Sequence, residues 1–240
     1  MSPKVKEKLR ITWFGHSAFL LESPGGKRVL VDPWLDNPKA PPEAKEIAKV
    51  DLILISHGHG DHIGNTIEVA KRTSATVVAI HEVSLFLQAK GVASIQGMNK
   101  GGTVDVGGVK VTMVDAKHSS DIDVGAEPVP GGEAAGFVIE FENGFKAYHA
   151  GDTAVFGDMK LIADLYKPHL AFLPIGGLYT MDPRAAAFAC RMLKPQQIIG
   201  MHYGTFPPLT GTPSELKKWL PAAMKRRVLD LEPGRPIAIS

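Results

Sequence analysis

The stretch Asp51-Leu52-Ile53-Leu54-Ile55-Ser56-His57-Gly58-His59-Gly60-Asp61-His62 passes without a break from apolar residues into a cluster of metal-competent side chains. Residues 51–56 are almost continuously apolar, the pattern of a strand buried on both faces of a parallel sheet. Polar groups crowded at the end of such a strand need something cationic to offset their desolvation. On an extended segment, residues i and i+2 project to the same side, so His57 and His59 can grip one cation together. Asp61 and His62 follow where the loop turns into a helix over 62–73, with Ile63, Ile67 and Ala70 on one side, and can reach a second position nearby. Gly58 and Gly60 permit tight loop geometry. Imidazole with carboxylate and no thiolate suits Zn, Mn or Fe.

Upstream, 10–14, 18–22 and 28–31 read as short strands, the last two joined by the turn Ser23-Pro24-Gly25-Gly26-Lys27. A Pro-rich connector over 36–42 leads to a short helix over 43–48. Downstream come a strand over 76–80, a helix over 83–89, and two hairpins, 103–106 with 109–114 and 137–141 with 145–149, turning at Gly107-Gly108 and Asn143-Gly144. The Gly-, Pro- and acid-rich segment 119–136 is long for a loop, which marks it as functional or mobile. Helices over 159–166, 184–193 and 214–220 (Ser214 as N-cap) alternate with strands over 170–173 and 197–200. Meander strands followed by strand–helix alternation predict stacked sheets with helices outside, an α/β fold. A faint echo, residues 27–32 against 146–152 and 51–56 against 169–174, fits two similar halves facing one another across the site.

The totals restrict the function. The 240 residues, 44% hydrophobic, can bury a full core. A net charge of +2, with basic residues clustered only at 4–10 and 225–227, reads as solvated ends and gives no expectation of a nucleic-acid partner. The single cysteine, Cys190, excludes an intrachain disulfide and a thiolate metal cage and reads as core. No apolar run approaches a membrane span, and the charged N-terminus lacks a secretory apolar region; the expectation is a cytoplasmic protein of one domain over 1–240. A homo-oligomer is compatible with a chain of this size.

A metal pair needs ligands beyond the first cluster. His118, Asp152 and His202 each follow a predicted strand, where loops emerge from a sheet edge and can converge on one rim. The ordered set, His-x-His-x-Asp-His, then His118, then Asp152 in Gly151-Asp152-Thr153, then His202, resembles the metallo-β-lactamase superfamily over residues 10–205. The resemblance implies a four-layer αββα sandwich with the site at one edge. Carried over, it implies that His57, His59 and His118 bind one metal, that Asp61, His62 and His202 bind a second, and that Asp152 bridges them. Phe14-Gly15-His16-Ser17-Ala18-Phe19, Val31-Asp32-Pro33-Trp34 and Tyr179-Thr180-Met181-Asp182-Pro183 look like a subgroup of metal-dependent hydrolases similar to an ascorbate-phosphate lactonase and to phospholipase-D-type members. Asn65, where many members carry Gly, fits that subgroup rather than glyoxalase II, and His59, where redox members carry Glu, argues against dioxygen chemistry.

The implied cofactors are two divalent ions, Zn or Mn first, with Fe or Ni as alternatives. The implied reaction is hydrolysis of an ester, lactone or phosphodiester of a small molecule by a metal-bound hydroxide. A β-lactamase is disfavoured for want of an export signal, and a nuclease because 240 residues leave no space for the usual extra domain. Asp61, His16 and Tyr179 are the catalytic candidates, and Asp32 and Asp182 are candidates for orienting ligand imidazoles. His16 reads equally well as a hydrogen-bonded turn residue or a proton donor to the leaving group; Tyr179 and Tyr203 read as packing residues or oxyanion donors. His81, His149 and His169 read as structural. Loops 119–136 and 205–212 are the expected pocket rims, and the acids of the first (Asp121, Asp123, Glu127, Glu133) speak against a strongly anionic substrate unless they face solvent. The contrasting function is a metal-bound ligand sensor without turnover.

Overall fold

An antiparallel meander, β1 (Leu9–Trp13), β2 (Phe19–Glu22) and β3 (Arg28–Val31), opens the fold and hands over to three parallel strands, β4 (Leu52–Ile55), β5 (Thr76–Ile80) and β6 (Ile95–Met98). The computed structural model describes residues 8–125 and 127–239, so most of the basic run 4–10 lies outside the described residues. A short 3-10 turn, Pro42–Glu46, stands in place of the helix expected over 43–48. The helix expected over 62–73 is two pieces, α1 (Gly60–Ile63) and α2 (Thr66–Thr73). The break falls at Gly64, where φ is +40° and a Cβ would lie 2.6 Å from the Pro33 carbonyl oxygen. Helix α3 (His81–Ala89) packs on β5 and β6.

The second half repeats the plan. Strands β7 (Thr103–Val106), β8 (Val109–Asp115), β9 (Ala135–Glu140) and β10 (Lys146–His149) are antiparallel. Strands β11 (Leu170–Pro174), β12 (Gln197–Met201) and β13 (Val228–Leu229) continue in parallel from β10. Their connections carry α4 (Met159–Tyr166), α5 (Pro183–Leu193), α6 (Pro213–Trp219) and α7 (Ala222–Lys225). Helix α6 begins at Thr212, not Ser214: the Thr212 hydroxyl caps the Glu215 amide at 3.2 Å, and Pro213 takes the first helical position, where its missing N–H costs nothing. A last strand, β14 (Ile237–Ile239), returns to pair with β1.

The sheet orders are β14-β1-β2-β3-β4-β5-β6 and β13-β12-β11-β10-β9-β8-β7. In each, the strand at which antiparallel pairing gives way to parallel, β3 or β10, ends in an aspartate loop, Asp32 or Asp152. The sequence echo therefore corresponds to equivalent strands, β3 with β10 and β4 with β11. The turn β1–β2 holds His16, and the equivalent loop β8–β9 holds His118.

The sheets face one another through apolar side chains, as where Phe19 of β2 meets Phe172 of β11 with ring centroids 4.6 Å apart. Both are fully buried, and burial of such a ring contributes about 1.5–3 kcal/mol. Strand β4 is buried at every position, as its apolar run requires with a sheet on one side and helices on the other. With α3 outside the first sheet and α5 outside the second, the layers are α, β, β, α. Among the described residues no helix is long and apolar enough to cross a membrane.

Candidate metal centre

His57 emerges from β4 fully buried, and a Cβ on Gly58 would run into the Ser120 carbonyl oxygen, so only glycine lets the 119–136 loop close over this turn. The Gly58 amide donates to Ser120 Oγ at 3.1 Å. Gly60 differs from the expectation for it: a Cβ there meets nothing within 4 Å, and its place is the start of α1.

Around this turn the structure brings together all seven sequence-predicted ligands. Donor atoms of His57, His59 and His118 lie within 4.8 Å of one another, as do those of Asp61, His62 and His202 together with His16, and those of His57, His62 and Asp152. Asp152 Oδ2 is common ground, at 2.8 Å from His202 Nε2, 3.2 Å from His62 Nε2 and 3.7 Å from His118 Nε2.

The hydrogen bonds fix which ring nitrogens carry lone pairs. Asp32 is wholly buried; its Oδ1 accepts from the Ser56 amide at 2.8 Å, and its Oδ2 from Ser56 Oγ at 2.6 Å and His62 Nδ1 at 2.8 Å. With Ser56 Oγ–H committed to Asp32, the hydroxyl oxygen accepts from His57 Nδ1 at 2.9 Å. His57 thus turns a bare Nε2 toward His59 Nδ1, 3.0 Å away. The outer nitrogen of His59, Nε2, is held by Ser119 Oγ at 3.2 Å. In the tautomer where His59 Nε2–H donates to Ser119 Oγ, both facing nitrogens are bare and can share a cation.

Burial, reinforced by the charge on His62, holds His57 well below the usual imidazole range, and burial lowers His59 and His118 as well, so these rings stay neutral and able to ligate. Burial alone would lower His62 too, but the Asp152 and Asp32 carboxylates outweigh it and raise His62 well above the ordinary value. Burial opposes ionisation of Asp152 and Asp61; His202 and His62 nevertheless keep Asp152 ionised, and His16 and His62 do so for Asp61. Asp152 Oδ1 and His202 Nδ1 are buried without a hydrogen-bond partner among the described residues, and His62 Nε2 faces Asp152 Oδ2 at 3.2 Å. Orphaned polar atoms of this kind, in a set of imidazoles and carboxylates, fit a divalent cation of intermediate softness.

His16 is fully buried beneath Asp61. A carboxylate only accepts, so His16 Nε2–H donates to Asp61 Oδ2 at 3.0 Å, and His16 Nδ1 accepts from Thr205 Oγ1 at 2.6 Å. Burial pushes its pKa down to about 4. His16, Asp32 and His202 all have positive φ (51°, 44° and 56°), which costs a non-glycine residue about 1–3 kcal/mol. Neighbours hold them there: the His16 carbonyl accepts from the His202 amide at 3.0 Å and from Trp13 Nε1 at 2.9 Å.

Above the ligands opens a cleft of about 780 Å³, lined by His59, Gly60, Asp61, His118, Ser119, Asp152 and His202 below and by Trp34, Tyr179, Phe206, Pro207 and Pro208 at the sides. Tyr179 is 59% exposed, on the rim. Of the two loops expected as rims, 205–212 supplies Phe206-Pro207-Pro208 and 119–136 supplies Ser119; Asp121, Asp123, Glu127 and Glu133 are exposed and absent from the lining. Tyr203 packs on Trp13 at 5.2 Å and under Lys39 at 4.8 Å, away from the cleft. Asp182 caps α5 through Ala185 N at 2.7 Å and orients no ligand imidazole. His149 accepts from the Gly151 amide at 3.3 Å, and His169 from the Lys146 amide at 3.0 Å, both bracing strand ends. Sequence reasoning placed Trp34 in a quoted motif and Thr205 and Phe206 in an expected rim loop but assigned none of them a role: the Thr205 bond to His16 and the Trp34 and Phe206 side walls depend on partners far along the chain. It noted Asn65 without its function: the side chain accepts from Leu35 N at 2.8 Å and donates to Asp36 Oδ2 at 2.7 Å, tying the Trp34 loop to the histidine turn.

Residues 27–203 match the β-lactamase superfamily domain. The chain is 51% identical over 227 residues to a UPF0173 metal-dependent hydrolase of Koribacter versatilis, covering 94% of this chain and 96% of that one. It is 53% identical over 211 residues to another from Rubrobacter xylanophilus, covering 87% of each. Among solved structures, Igni18, a metallo hydrolase from Ignicoccus hospitalis, superposes with a TM-score of 0.86 at 38% identity, covering 97% of this chain and 99% of that one. The chain therefore belongs to the metallo-β-lactamase superfamily, within its family of metal-dependent hydrolases.

Proposed function

We propose that this chain hydrolyses carboxylic esters or lactones of small molecules with two divalent ions, Zn or Mn first. The observation that carries the reading is the shared position of Asp152 Oδ2, within 3.7 Å of imidazole nitrogens from both halves of the ligand set, at the floor of an open cleft. In this assignment His57, His59 and His118 hold one ion, Asp61, His62 and His202 hold the other, and Asp152 serves both. When bound, such ions supply Lewis acidity and water acidified toward neutral pH. The chain's own residues do the rest. Asp32 and Ser56 keep Nε2 of His62 and of His57 turned inward. His16, held by Thr205, positions Asp61. Tyr179 lines the rim, and in this reading its hydroxyl donates to a developing oxyanion.

Cleft chemistry favours a carbonyl substrate over a polyanion, since the lining contains no lysine or arginine. Because residues of both sheets complete one centre, we read the described chain as one domain. The single cysteine suits a reducing compartment, and we place the reaction in the cytoplasm. The test is a panel of p-nitrophenyl carboxylates, simple lactones and bis-p-nitrophenyl phosphate, assayed on protein of known metal content. Metal-dependent turnover of esters or lactones supports the reading. Turnover of the phosphodiester alone replaces its substrate class, and full metal loading without turnover of any compound overturns it in favour of a ligand sensor.

A further inference from the structure

Trp34 and Phe206 arrive at the cleft from opposite sheets, Trp34 from the loop after β3 and Phe206 from the loop after β12. Their rings stack with centroids 5.4 Å apart and planes 23° apart. His16 meets both edge-on, at 5.0 Å from Trp34 and 5.7 Å from Phe206, so the stack rests on the residue that holds Asp61. Each partner is fixed from behind. Asn65 ties down the backbone after Trp34, and Pro207-Pro208 limits the chain beyond Phe206. Yet Phe206 keeps 37% of its surface exposed, and the cleft is where it shows. A stacked aromatic pair that a fold braces and leaves facing a pocket over its reactive groups is a recognition surface for something apolar.

Resting on the ester and lactone reading, we propose that the Trp34–Phe206 wall sets substrate choice by binding an unbranched alkyl or aryl substituent of the ester or lactone while the carbonyl lies over the ligand cluster. No lysine or arginine lines the cleft to reward a charged substituent, and the five non-ligand side-wall residues, Trp34, Tyr179, Phe206, Pro207 and Pro208, present mainly carbon. A cleft of about 780 Å³ takes a molecule of this kind whole.

The experiment measures kcat/KM of the metal-loaded enzyme for p-nitrophenyl esters from acetate to octanoate, in wild type, Phe206→Ala, Phe206→Leu and Trp34→Ala, with metal content determined for each. The expected result is a rise of about two- to fourfold per added methylene in wild type, the range for partial to full burial of a CH₂. The rise should flatten in Phe206→Ala and Trp34→Ala at unchanged metal content and be kept in part by Phe206→Leu. A wild-type series that is level or falls with chain length overturns the proposal and leaves the hydrolase reading standing. A slope unchanged in both alanine variants overturns the assignment to this wall. The wild-type series decides the point even if an alanine variant fails to fold. Absence of turnover with every ester, lactone and phosphodiester removes the reading beneath the proposal and the proposal with it.

Discussion

Asp32 Oδ2 accepts a hydrogen bond from His62 Nδ1 at 2.8 Å, and neither side chain has any exposed surface. Asp32 also takes both the amide and the hydroxyl of Ser56, so one carboxylate orders two histidines of the candidate ligand set. Asp32→Ala should therefore weaken metal binding by about 10- to 100-fold, the usual cost of losing a partner behind a ligand. Chelator competition measures this. An affinity within twofold of wild type would show that Asp32 does not set the ligand geometry.

His16 is predicted to act through Asp61. On the two-ion reading, His16→Ala should lower metal content from two ions per chain toward one and depress kcat. His16→Gln, which can still donate toward Asp61, should recover part of both. Elemental analysis beside kinetics reads the pair. Full metal content with normal kcat in His16→Ala would refute the positioning role.

Gly58 and Gly60 should part company on substitution. A methyl on Gly58 collides with the Ser120 carbonyl, whereas one on Gly60 enters open space. Gly58→Ala should lose about 1–3 kcal/mol, the range for overpacking. Gly60→Ala should be neutral or gain up to about 1 kcal/mol, as alanine replacing glycine in a helix does. Urea titration of both variants checks the contrast, and equal losses would contradict it.

Burial pushes the Cys190 thiol up to about 12 from an ordinary value of 9.0, so the fold favours its neutral form. The sign follows: this group's contribution is complete below pH 9.0 and is lost as pH rises toward 12, where the unfolded thiol has released its proton and the folded one has not. Native protein at pH 8 should react with a disulfide reagent only as fast as it opens, and urea should accelerate the reaction. Prompt modification of folded protein would place Cys190 at the surface instead.

Metal removal should destabilise by mass action. At a free ion concentration one hundred times Kd, binding contributes about 2.7 kcal/mol, so chelation should lower Tm by about 5–10 °C for a chain of this length. Differential scanning calorimetry with and without chelator tests this; an unchanged Tm would contradict an ion bound to the native state.

The order of elements and the seven clustered residues could be read before any coordinates because their signals are local. Strand β4 is a continuous apolar run, and His57 to His62 is a dense motif. What escaped depended on distant partners. Strand β6, Ile-Gln-Gly-Met, is largely half-exposed and a strand only because β5 pairs with it. Strand β14 exists through its pairing with β1. The break at Gly64 is dictated by Pro33 and Trp34 across the loop. Asp182 is a local exception, its carboxylate capping the Ala185 amide three residues on. The Trp34–Phe206 stack joins residues 172 positions apart (206 − 34), which no window along the chain can register.

His62 is gripped at one nitrogen by the aspartate that closes β3 and faced at the other by the aspartate that closes β10. A single ring thus rivets the two leaves of the molecule at their shared margin. Any slippage of one leaf against the other disarms the centre while most backbone pairing survives, so on gentle heating activity should fade before circular dichroism changes.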